Sequence, residues 1–181
     1  MLGWFGALWG LGAITALLAS AVVRLGKVGA AAFELPFSWF HWLSLAAVLV
    51  LMAYSEGYRG FQRGFSPRVA ARARYLRDHP EPLHVLLAPL FCMGFIHASR
   101  RRKLTSLILT SAIILLIVLV RLLPQPWRGI VDLGVVVGLG WGVVSLLAFS
   151  ALAFGGRPPA TDPELPGAES RSQPSSPHSA P

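Results

Sequence analysis

From residue 4 to residue 23 the chain runs for twenty residues without a charged side chain. An α-helix rises about 1.5 Å per residue, so this run has the length needed to cross about 30 Å of hydrocarbon. Three more apolar runs follow, at residues 37–54, 104–120 and 129–154. Hydrophobic residues make up 54% of the 181 and charged residues only 13%, against about 25% charged in an average soluble domain. A soluble fold of this size has too little interior for that apolar surface. The pattern therefore predicts an all-α, polytopic integral membrane bundle with four long transmembrane helices.

The first run carries Ala19-Ser20-Ala21, a small-x-small triplet that suits signal-peptide cleavage. No Lys or Arg precedes the run, and its apolar part exceeds the usual 7–15 residues, so a retained span is the better reading. The second run opens with Trp39 and Trp42 and closes with Tyr54 and Tyr58, as aromatic side chains gather at the two interfaces of a span. Pro124 and Pro126 make a tight hairpin between the last two runs. Residues 157–181 hold seven of the fourteen prolines and almost no large apolar side chain. They form a disordered tail outside the membrane-embedded domain of residues 1–156, since they bury too little surface to offset their ordering entropy.

Residues 55–82 read differently. Ser66-Pro67 has the look of a helix start, with Ser as N-cap and Pro in the first turn, and His79-Pro80 of its end. Val69, Ala73 and Leu76 would share one face, with Arg68, Arg72, Arg74 and Arg77 around the rest. This predicts a basic helix lying in the interface, its arginines reaching lipid phosphates; a solvated basic loop is the alternative. Residues 83–98 are apolar but only sixteen long, and Pro89 and Gly94 break them. They make either a re-entrant insertion or a fifth span. Arg100, Arg101, Arg102 and Lys103 then stop the insertion and add further phosphate contacts.

Sixteen Lys and Arg face eight Asp and Glu, for a net charge of +8. Ten of the sixteen lie between Arg59 and Lys103, flanking apolar stretches. That placement points to a bilayer with anionic headgroups rather than to nucleic acid, for which no binding signature is present. If residues 83–98 cross, Lys and Arg divide eight and eight between the two sides. If they dip and return, twelve fall on the side of both termini and four on the other. The positive-inside rule prefers the second arrangement, with N- and C-termini cytoplasmic, in a bacterial inner membrane. Arg24 and Lys27, which follow the first span, run against it.

Residues with chemical potential are few. Asp132 lies one turn into the last span, four residues after Arg128 and across the turn from Arg121. It reads as an ion pair that fixes the hairpin, or as an intramembrane ion or proton site. His41, His79, His84 and His97 lack metal-ligand spacing, no paired-ligand motif occurs, and no cofactor is expected. The single cysteine, Cys92, excludes an internal disulfide and reads as an inert buried thiol. Glu56 and Arg59 read as an exposed pair of little energetic weight. Gly134, Gly138 and Gly142 recur every four residues, as Gly6 and Gly10 do in the first span. Such stripes admit close helix contact, either within the chain or with a membrane-protein partner or second copy.

These features favour a non-enzymatic accessory or assembly component of a membrane complex. Two alternatives stay open. One is a small transporter or channel-like protein using Asp132. The other is an interfacial lipid-modifying enzyme, with His79 or His84 as base and the arginine-rich loop holding phosphate.

Overall fold

The computed structural model describes residues 1–94, 115 and 118–155. Among these the fold is all-helical. Helix α1 (Leu2–Ala30) passes without interruption through Ala19–Ala21 and ends in a 3₁₀ turn, Ala31–Glu34. Helix α2 (Trp39–Met52) runs into a π-helical segment, Ala53–Phe65, which runs directly into α3 (Ser66–Asp78). Two short helices follow, α4 (Pro82–Leu86) and α5 (Ala88–Met93), and the last helix is α6 (Trp127–Phe154). Three helical stretches among the described residues are long and apolar enough to cross a membrane: Leu2–Glu34, Trp39–Asp78 and Trp127–Phe154. They mark the chain as a membrane protein. The expected span at 104–120 and the tail at 157–181 lie largely or wholly outside the described residues.

The second helix departs most from expectation. It does not leave the bundle near Tyr54 but continues to Asp78 as one 40-residue helix. Pro67 has no N–H to give to an α-helical ladder and its ring crowds the carbonyl four residues back. The wider π-helical winding ends two residues before it, at Phe65. Ser66 accordingly does not cap a new helix. The break comes where the sequence places it at the other end, with α3 stopping before His79 in non-helical geometry.

Glycine sets the packing. In lipid there is little hydrophobic force between helices, so contact depends on close approach and van der Waals fit. A Cβ at Gly134 would come 2.5 Å from Val48 Cγ1, one at Gly138 3.0 Å from Glu56 Cβ, and one at Gly142 2.7 Å from Phe61 Cδ1. The glycine stripe of α6 is thus filled by the chain's own second helix, which leaves no room there for a partner. On α1, Gly3 lies against the Arg77 carbonyl, Gly6 against Leu76 and Val85, and Gly10 against Ala88 and Cys92. At the opposite end of α1, Gly29 faces Leu133 and Ala32 faces Gly129. Helices α1 and α6 are therefore antiparallel, and the second helix runs parallel to α6 along its whole length.

The buried core joins Ala7, Leu11, Ile14 and Leu18 of α1 to Val69, Ala73 and Leu76 of α3, Phe91 and Cys92 of α5, and Leu146 of α6. The large apolar side chains on the outer faces, such as Leu17, Val50 and Val144, stay exposed, as lipid-facing residues do. Two aromatic groups mark the ends. Phe33, Phe37, Trp42, Phe40, His41 and Trp127 gather at one, and Trp4 and Phe154 at the other. Helices α4 and α5 break at Leu87 and stop at Gly94, whose φ of 86° is open to glycine without strain. Twelve helical residues reach only about 18 Å even end to end, and residues 95–98 of the expected insertion lie outside the described residues. Helices α4 and α5 lie at the end where α1 begins.

If this packing holds the fold, Gly142→Ala should destabilise it by about 1–3 kcal/mol through overpacking against Phe61. Gly140→Ala, where a Cβ meets nothing within 4 Å, should change stability by no more than about 1 kcal/mol. Thermal melts of both variants in one detergent compare them.

Candidate functional site

The polar side chains gather along the π-helical segment and α3, on two opposite sides of the same helix. The inward side forms a seam against α6 and α5. Trp141 Nε1 donates to Gln62 Oε1 at 2.8 Å. Ser145 Oγ donates back to the Gly142 carbonyl at 3.0 Å, which leaves Ser66 Oγ to donate to Ser145 across 2.8 Å. Arg74 Nη1 donates to the Ala153 carbonyl at 3.1 Å, satisfying an acceptor that the end of α6 leaves free. Arg77 lies over the rings of Trp4 and Phe154 at 5.2 and 5.4 Å and donates to Asp78.

Arg72, expected at a lipid phosphate, is only 4% exposed. Its Nη1 donates to the Phe91 carbonyl at 3.0 Å, and its guanidinium lies 5.7 Å from the Phe91 ring. The reason is steric. Ala70, Ala71 and Ala73 are too small to hold α1 and α5 away, so the helix sinks into the bundle and takes Arg72 with it. Arg68 remains outside, its Nε donating to the Gly64 carbonyl at 2.7 Å. Arg100, Arg101, Arg102, Lys103 and His97 lie outside the described residues.

The outward side carries Arg59, Arg63 and Arg68, all exposed, and Glu56 is exposed at the edge of the contact with α6. Contact with Gly138 places Glu56 beside the middle of α6, and the Ser66–Ser145 bond fixes the level below it. Arg59 and Arg63 fall between those two levels. The Arg63 guanidinium sits 5.0 Å over the Tyr58 ring, which stacks on Tyr54 with centroids 6.0 Å apart. The sequence alone puts Glu56 and Arg59 at an exit from the membrane. What relocates them is the continuity of the helix, signalled only by the absence of proline between Met52 and Ser66, although Gly57, Gly60 and Gly64 lie there.

The histidines divide. His41 accepts from the Ser38 backbone N–H at 3.2 Å and meets the Ser38 hydroxyl at 3.1 Å, so it closes the start of α2. His79 stacks on Tyr75 at 4.7 Å, and His84 packs on Phe91 at the same distance. Tyr75 and Phe91 face each other at 6.4 Å, so a run of rings separates the two histidines. Glu81 Oε2 lies 3.0 Å from His84 Nδ1, an orienting carboxylate that sequence reasoning missed. Its signal was a glutamate three residues before a histidine in the first turn of a helix. Among the described residues no group of three His, Cys, Asp or Glu converges as a metal site would require. Cys92 is buried against Gly10, and burial pushes its thiol up to about 12 against the pull of Arg72.

Asp132 stands at the other end of the bundle, 6% exposed, with Arg128 Nε 3.7 Å from its carboxylate. Gln125 caps the same end of α6, accepting from Gly129 N–H at 3.1 Å and donating to the Val28 carbonyl of α1 at 3.4 Å. Asp132 is thus far from the arginines of α3.

Arg72→Gln should cost about 1–3 kcal/mol, because it disturbs a buried charge-assisted bond. Arg68→Gln should stay within about 0.5 kcal/mol of the parent. Chemical denaturation monitored by circular dichroism in mild detergent separates the two. Comparison of the chain with family models, with curated proteins and with solved structures found no match.

Proposed function

We propose that this chain is a non-enzymatic accessory or assembly component of a membrane complex, and that its working surface is the outward charged face of the helix Trp39–Asp78. One observation carries the reading: Glu56, Arg59 and Arg63 are exposed alongside α6, the most apolar of the three span-length helices among the described residues. Charged groups are costly against acyl chains and in membrane helices mark sites that polar groups cover. The glycine stripes, the other candidate docking faces, are used up inside the chain.

The end that holds Arg68, Arg72, Arg74 and Arg77 also holds the start of α1 and the end of α6. By the positive-inside rule it is the cytoplasmic end, in the inner membrane of a bacterium. A second reading, an interfacial lipid-modifying enzyme, draws on the His84–Glu81 pair, which has the geometry of an oriented base. The transporter reading draws less, since Asp132 is paired with Arg128 at the far end of the bundle.

The test is co-purification of the tagged chain from its native membranes in mild detergent. A companion in stoichiometric amount, protein or lipid, should be lost with Arg59→Glu/Arg63→Glu and kept with Lys27→Glu at the opposite end. A companion indifferent to the first variant, or no companion at all, would contradict the proposal.

A further inference from the structure

The face just described does not begin at Glu56. On the outward side of α2, directly before it, lies a groove of about 530 Å³ lined by Leu43, Ala46, Ala47, Val50, Leu51 and Tyr54, almost wholly apolar. Tyr54 closes the groove and stacks on Tyr58, and Tyr58 carries the Arg63 guanidinium on its ring. One continuous surface track thus leads from an acyl-sized apolar trough, over two tyrosines, to a cationic group.

Charge decides what fits the polar end. Arg59, Arg63 and Arg68 are exposed there, and Glu56, which lies against Gly138 of α6, is the one carboxylate near them, an excess of two positive charges. Among the described residues no ion pair joins Glu56 to Arg59 or Arg63. Guanidinium groups bind phosphate in preference to neutral polar groups, by charge and by their forked donors. The apolar end wants a hydrocarbon chain and the basic end an anion. A single molecule that supplies both is a phosphate-bearing lipid.

Depth adds to the argument. Ser66 is level with Ser145, nine residues or about 14 Å before the end of α6. Arg59 and Arg63 precede Ser66, so they lie deeper still. Trp4 and Trp9, exposed near the start of α1, mark the interface at that end. A phosphate on Arg59 and Arg63 would therefore sit below the level of the surrounding headgroups, with its tail pointing toward the start of α2.

We propose that the outward face from Leu43 to Arg63 binds one phosphate-bearing lipid, its acyl chain in the Leu43–Tyr54 groove and its phosphate drawn below the interface onto Arg59 and Arg63. This rests on the reading that the charged face is the working surface, and it names the ligand.

The purified full-length chain in mild detergent, titrated with phosphatidylglycerol and read by native mass spectrometry, tests it. The parent should hold one lipid through activation energies that strip the rest. Arg59→Gln/Arg63→Gln should lower that occupancy at least tenfold. Ala47→Trp, which fills the groove and leaves the arginines, should lower it comparably. Arg24→Gln/Lys27→Gln should leave it unchanged, and all variants should melt with the parent. Soluble glycerol phosphate in excess should not displace the lipid. Unchanged occupancy in the arginine variant overturns the proposal, and so does displacement by glycerol phosphate alone. A protein companion lost on the same arginine substitutions would overturn the lipid assignment while leaving the charged face as the working surface. Indifference of every companion to those substitutions would remove both.

Discussion

The close packing of the second helix on the glycine stripe of α6 is the contact on which the rest of the structure depends. Gly134, Gly138 and Gly142 let the backbones approach until Val48, Glu56 and Phe61 fill the space that side chains would have taken. That contact fixes the register of the two helices, and the register carries a basic, polar segment down the side of an apolar one. Had any of the three been larger, the helix could have peeled away after Tyr54 into the interface, as its charge alone would favour.

Having been drawn in, the arginines of this helix meet two different fates. Arg72, Arg74 and Arg77 find carbonyls, rings or a carboxylate inside the protein. These contacts replace part of the hydration that burial removes, without which a buried guanidinium would cost several kcal/mol. Arg59 and Arg63 point away from the bundle, and among the described residues the one ring they meet is that of Tyr58, under Arg63. The same helix is therefore satisfied on one side and open on the other. This asymmetry is why we propose its outward face, and not the glycine stripes or the histidines, as the working surface.

Much of this was legible in the sequence. Apolar runs of span length marked α1 and α6 and the start of α2, because length and apolarity are additive properties that need no tertiary context. His79-Pro80 ended α3 as read, since the restriction a proline places on its neighbour is local. The Ser66-Pro67 signal marked where α-helical winding begins but not a new helix: a π-helical winding before the proline lets one helix run through it, and local propensity does not report that. Arg72 was read as a surface arginine because its burial depends on the alanines around it and on α5, which packs from nineteen residues further along the chain. The Gln62–Trp141 and Ser66–Ser145 contacts each span 79 residues and had no sequence signal at all.

The most direct measurement is a disulfide between the second helix and the last. Ser66 and Ser145 have their hydroxyl oxygens 2.8 Å apart, within reach of a disulfide if both become cysteine. With Cys92 replaced by serine, Ser66→Cys/Ser145→Cys should oxidise within intact membranes, and neither thiol should afterwards accept a maleimide–polyethylene glycol until reduced. Ser55→Cys/Ser145→Cys should keep both thiols. If Ser66→Cys/Ser145→Cys also keeps both after oxidation, the second helix does not run beside the last span, and the charged face is not where this account puts it.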